Sequence, residues 1–220
     1  MTTYFMFDLE TAANLTPAKI ERFSQTAKTG NLKDPAKIEA KIREHVESCV
    51  EYAALSPATG RIVAYSWCLV STENPFSVPP IYTNVGIEPL KEADLISSLS
   101  NAWKESNADL MLGFNIRKFD VPFLLGRSIA RGIKMFSHLP RPNDYNLVAD
   151  FRDYLTEGSL SVWLEECGIA PKNGDGSMVA QWVEQGDVAA IRSYSCSEMA
   201  SMCELFARLD ATVNLRRNGL

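Results

Sequence analysis

The chain is poor in the residues that build zinc centres and staple secreted folds. Its 220 residues include two histidines, His45 and His138, and five cysteines, at positions 49, 68, 167, 196 and 203. No cysteine pair has Cys-x-x-Cys spacing and neither histidine adjoins one, which argues against a zinc site. The odd count reads as reduced, mostly buried thiols, and so as a cytoplasmic protein. No apolar run approaches the roughly 20 residues that span a bilayer, so no membrane association is expected. The opening "MTTYFMFDLE" has no basic start and no long apolar region, so no signal peptide is expected. Positive charge is also short: 22 Lys and Arg stand against 27 Asp and Glu, for a net charge of −5. Proteins that grip duplex nucleic acid by counterion release are usually basic, so bulk electrostatic binding is excluded. What remains is an ordinary globular composition, 46% hydrophobic and 22% charged. The length suits a single domain, 1–220, with a substantial core. An acidic chain can still meet phosphates if its carboxylates hold divalent metals.

Residues 3–9, "TYFMFDL", read as a strand. The segment 12–60 reads as a helical insertion. Thr16-Pro17 opens a helix over about 17–28 and Asp34-Pro35 another over about 35–53, each a capping residue followed by proline at the first helical position. Strands follow at 62–70, "IVAYSWCLV", and 79–85. Apolar residues recur at helical spacing over 89–105, and "DLMLGF" at 109–114 is a short buried strand. A helix is predicted at 119–133, with Pro122 tolerated in its first turn. Residues 134–150 read as loop with a short strand at "NLVAD". Further helices are predicted at 159–168, 177–184, 187–194 and 196–216. This order, strands first and then alternation with helices, predicts an α/β sheet covered by helices.

Three groups of residues carry chemistry. Asp8 and Glu10, two apart on a strand, point to one face. Two carboxylates beside apolar neighbours are costly unless a cation such as Mg²⁺ or Mn²⁺ compensates them; a solvated strand end is the plainer alternative. Asp120 falls in the first turn of a helix that follows a strand, where α/β sheets build their sites and where acids also serve simply as helix-start charges. Tyr194 and Glu198, four apart on a helix, share a face; singly, they read as a core-edge phenol and a solvated acid.

Together these groups form a recognisable set. "FDLET" (7–11), "GFNIRKFDVPFL" (113–124) and "YSCSE" (194–198) resemble the three motifs of the DEDD group of 3′–5′ exonucleases, in its tyrosine subgroup. The middle motif is similar to the proofreading domain of family B DNA polymerases and to stand-alone bacterial and phage relatives. The stretch 159–205, with its Lys-x-Gly-x-Gly-Ser loop at 172–177, is similar to the stand-alone members. The resemblance implies a ribonuclease H-like fold, with a central mixed five-stranded sheet flanked by helices and a helical insert after the first strand. It implies a 3′–5′ exonuclease with two divalent metal ions, Mg²⁺ or Mn²⁺, acting on the 3′ end of single-stranded DNA and releasing nucleoside monophosphates. An RNA-trimming enzyme shares the motif layout. By the same resemblance Asp8 bridges both metals, Glu10 and Glu198 hold the one that activates water, Tyr194 orients that water, and Asp120 binds the second. Leu9, Thr11, Asn115, Phe119, Lys118 and Lys172 are the implied substrate contacts. Cytoplasmic action, in a bacterium or a phage-infected host, alongside replication or repair proteins, fits the same family.

One position departs from the pattern, which ends in Tyr-x-x-x-Asp where this chain has Glu198. Glutamate reaches farther by about 1.5 Å and is still a hard oxygen ligand. A module that keeps the fold and binds nucleic acid with weakened catalysis is the alternative this residue raises. Asp187 is the nearest upstream acid but needs a different helix register. Of the smaller features, Arg117 and Lys118 read as phosphate contacts or solvated charges, and the basic run from Lys28 to Arg43 as a strand guide or a solvated helix face. Asp150 reads as a cleft residue or a helix cap, and the four tryptophans as core.

Overall fold

A computed structural model describes residues 1–134, 144 and 146–213; His138 lies outside them. The first strand, β1, runs Thr3–Ala13 and continues beyond Asp8 and Glu10 rather than ending at them. Its last residues are held because Ala12 pairs with Arg61 and Ala13 with Gly60 on the next strand, β2 (Gly60–Ser71), after a register shift between Glu10 and Thr11. The helical excursion is therefore confined to residues 14–59. It contains α1 (Pro17–Thr26) and α2 (Pro35–Glu51). Thr16 Oγ1 accepts from Lys19 N, and Asp34 Oδ1 from Ala36 N, so both helices start where the capping pairs predict. Neither helix buries a residue.

β3 (Tyr82–Val85) pairs antiparallel with β2, which pairs antiparallel with β1. β4 (Leu110–Gly113) lies parallel to β1, and β5 (Val148–Asp150) parallel to β4. The result is the expected mixed five-stranded sheet, in the order β3-β2-β1-β4-β5. Alternation along β1 divides the core between its two faces. Tyr4 and Met6 pack with α5 (Leu160–Glu166) and α7 (Val188–Val213) through Leu164, Met202 and Phe206. Phe5, Phe7 and Leu9 pack with α3 (Glu92–Ser106) and α4 (Asp120–Arg131) through Ile96, Val121 and Leu124. Trp103 is buried on this second face, and the other three tryptophans are half-buried.

α6 (Met178–Gln185) stops at Gly186, whose φ of 71° suits glycine. α7 then runs unbroken for 26 residues, merging the two helices expected at 187–194 and 196–216. The serine-rich stretch does not break it because the hydroxyls find partners: Ser197 and Ser201 bond back to backbone carbonyls one turn earlier, and Ser195 reaches across to Glu10. Among the described residues no helix is long and apolar enough to cross a membrane, and all five cysteines are free.

Candidate active site

The site is built where β1, the start of α4 and the middle of α7 meet. β1 presents Asp8 and Glu10 on the face that packs against α7, and α7 brings Glu198. Ligand oxygens of Asp8, Glu10 and Glu198 all lie within 4.8 Å of one another, the spacing of a set able to share one cation. Glu10 and Glu198 are buried, while Asp8 is partly open.

Asp120 sits close to this group but outside the tight triad. Its Oδ1 accepts the N–H of Leu9, the residue between the two β1 acids, at 3.1 Å. Leu9, an expected substrate contact, has its side chain buried in the core among Ile96 and Leu124; its contribution to the site is that N–H. Thr11 is half-buried beyond the register shift. Asn115 adopts a left-handed φ of 63° and opens the loop between β4 and α4. Asp150 anchors the loop, accepting Asn115 N at 2.9 Å on one oxygen and Arg117 N at 3.1 Å on the other, while also capping the turn at 151–153. Arg117 is held by Val148 O and Asp153, so its role is to fasten the loop to β5 and the turn after it. Phe119 packs on Phe123 at 5.4 Å between centroids. Lys118 is exposed, and a cleft of about 540 Å³ opens beside it, lined also by Asn115 and Arg152.

Lys172 is the one expected substrate residue drawn fully into the acids. Its Nζ donates to Tyr194 Oη at 2.8 Å and to Glu198 Oε2 at 3.0 Å. The loop that carries it closes over the phenol: a Cβ added at Gly174, whose φ is 115°, lies 3.3 Å from Trp182 and 3.7 Å from the Tyr194 ring. Asp187 is excluded from the site, because its Oδ1 accepts Ala190 N at the start of α7. Ser195 went unread in the sequence, yet its hydroxyl donates to Glu10 Oε1 at 3.0 Å in a fully buried contact. Its spacing was the available signal, since 195 and 198 share a helix face.

The electrostatics follow from crowding. Burial pushes the Asp8 carboxyl well above the carboxylate range, with Glu198 and Asp120 adding to it. Burial and then Glu198 raise Glu10 to about 8, against the pull of Ser195 and Lys172. Asp120 is raised to about 8, burial outweighing its bond from Leu9 N–H. Tyr194 is likewise raised, first by burial and then by Glu198, so it stays a neutral phenol at physiological pH. Four acids gathered around one lysine are costly when ionised. Hard oxygen donors in this density fit a divalent cation, which relieves the repulsion.

A five-stranded sheet of this order flanked by helices is a ribonuclease H-like fold. Residues 48–154 match the family model of the exonuclease domain of family B DNA polymerases. That segment contains the Asn115–Asp120 motif; Asp8, Glu10, Tyr194 and Glu198 lie outside it. Among solved structures, the family B DNA polymerase from the hyperthermophilic archaeon Pyrobaculum calidifontis matches with a TM-score of 0.60 and 12% identity. The match covers 97% of this chain and 25% of that one, so the chain spans about a quarter of the polymerase's length. No curated protein matches the chain. Residues 48–154 are thus similar to the exonuclease domain of family B DNA polymerases, and the chain as a whole shares the fold of the matched polymerase region.

Proposed function

We propose that the chain is a metal-dependent 3′–5′ exonuclease that removes nucleoside monophosphates from the 3′ end of single-stranded DNA. The observation that carries this reading is the convergence of Asp8, Glu10 and Glu198 to within 4.8 Å on the central strand and α7. Asp8, Glu10 and Glu198 would hold one divalent ion, and Asp8 with Asp120 a second. When bound, such a pair activates a water and neutralises charge on the attacking and leaving oxygens of an in-line displacement. Tyr194 keeps its proton and so can donate a hydrogen bond to the attacking water. Lys172 Nζ, already on the phenol and on Glu198, supplies the positive charge that orients both. Asn115 and Phe119, in the loop that precedes α4, would contact the terminal nucleotide. The extra methylene of Glu198 is accommodated, since its carboxylate reaches the β1 acids.

The test is hydrolysis of matched 5′-labelled single-stranded DNA and RNA with Mg²⁺ or Mn²⁺. The expected product is a ladder shortening from the 3′ end, faster on DNA and absent in EDTA. Shortening of RNA alone reassigns the substrate. No metal-dependent shortening of either refutes the reading.

A further inference from the structure

A second charged cluster lies beyond the C-terminal end of β1, at the far end of α4. Its centre is Glu92, fully buried at the start of α3. A carboxylate offers about four lone-pair sites, and all of Glu92's are taken. Oε1 accepts Ile62 N and Arg127 Nε; Oε2 accepts Arg127 Nη2 and Arg131 Nε. Arg61, at the start of β2, is only 6% exposed, and among the described residues its buried Nη1 has no hydrogen-bond partner. Glu92 is the anion that most strongly acts on Arg61, yet it has no acceptor capacity left. Lys19 of α1 completes the group; its Nζ donates to the neutral carbonyl of Asn14, and among the described residues it meets no carboxylate.

Four cations thus surround one buried carboxylate, with the exposed Glu88 nearby. Lys19 is pushed below its ordinary range by burial and then by Arg127 and Arg131, and Arg61 is lowered by burial and then Arg131. A buried guanidinium stays protonated, and a buried N–H of it left without an acceptor is costly. A water can accept its N–H but cannot balance its charge. A phosphate does both, with the geometry a guanidinium fork matches. The cluster is reachable, since Lys19 is half-buried and the Arg131 side chain is 30% exposed. α4 links it to the acids: Asp120 begins the helix and Arg131 ends it. Eleven rises of about 1.5 Å from Asp120 to Arg131 put the two ends roughly 17 Å apart.

We propose that Arg61, Arg131 and Lys19 form a phosphate-binding site that holds the nucleic-acid strand a few nucleotides 5′ of the 3′ end being cleaved. Phosphate recognition rests on the cations alone; its assignment to the substrate strand rests on the proposed function. At the duplex spacing of 3.4 Å per phosphate, roughly 17 Å is about five phosphates, and fewer on an extended strand. A dinucleotide is therefore too short to reach it, and a twelve-residue strand is long enough.

The experiment measures binding of fluorescein-labelled dT12 to the full chain in EDTA by anisotropy, over a range of salt. Arg61→Gln and Lys19→Gln are each expected to weaken binding about 3- to 10-fold and to reduce the salt slope by about 1. Lys19, half-exposed, guards against a result caused by misfolding. Wild-type affinity and slope in both variants overturn the proposal. So does Arg61-dependent stabilisation by inorganic phosphate with dT12 binding unchanged, which makes the site one for a small anion. Hydrolysis of a dinucleotide by the wild-type chain with Mn²⁺ reads the acid site separately. Arg61-dependent binding of dT12 without that hydrolysis upholds the phosphate site while removing the proposed activity.

Discussion

Replacing Ser195 with alanine tests how the protein prepares its acids. The Ser195 hydroxyl donates to Glu10 Oε1 at 3.0 Å, and the two residues are 1% and 6% exposed, so water cannot take its place. A hydrogen bond to a charged group is worth about 1.5–3 kcal/mol. At 1.4 kcal/mol per decade that is roughly a 10- to 100-fold loss in divalent-ion affinity, the range seen when an outer partner of a metal ligand is removed. The loss depends on pH in a definite sense. Glu10 titrates at about 8, and Ser195 holds that value down. Without it, more protons compete with the ion near pH 7, whereas above the titration range the competition disappears. Calorimetric titration of Ser195→Ala with Mn²⁺ should therefore show a larger deficit at pH 7 than at pH 9. Wild-type affinity at pH 7, with the fold intact, refutes the reasoning.

Three further outcomes follow from the same contacts. Glu10 and Asp120 ionise ordinarily near 4.5 and 3.8 and here at about 8. Through that window the folded chain keeps protons that the unfolded chain has lost, so metal-free stability should fall as pH rises and level off above about 8. Thermal unfolding should show Mg²⁺ or Mn²⁺ raising Tm strongly at pH 8.5 and little at pH 5.5. Tyr194→Phe removes the hydroxyl that Lys172 holds at 2.8 Å; kcat should fall about 100-fold through a misplaced water, while Mn²⁺ affinity by calorimetry stays near wild type. Glu92→Gln leaves Arg127 and Arg131 without their carboxylate; the expected cost is about 3–5 kcal/mol, or roughly 6–20 °C in Tm for a chain of this size.

Local chemistry made much of the molecule legible in advance. Thr16-Pro17 and Asp34-Pro35 place helix starts because their signals act over a few residues. The acids of β1 and α7 were readable because periods of two and of three to four residues place side chains on one face. The extent of β1 was not, since Ala12 and Ala13 stay extended only by pairing with β2. Nor was the role of Leu9, whose N–H meets an acid 111 positions away. Lys172 was readable as part of a substrate loop, but its place between Tyr194 and Glu198 depends on how that loop closes over α7. Arg61 gave no signal at all: a lone arginine at a strand start reads as solvated, and only the saturation of Glu92 shows otherwise.

The most direct test compares wild type with Asp8→Ala on 5′-labelled single-stranded DNA in Mn²⁺. Asp8 lies at the centre of the acids, so the account predicts stepwise shortening from the 3′ end by the wild type and none by the variant. Equal shortening by both proteins, or cuts made internally instead of at the 3′ end, would contradict it.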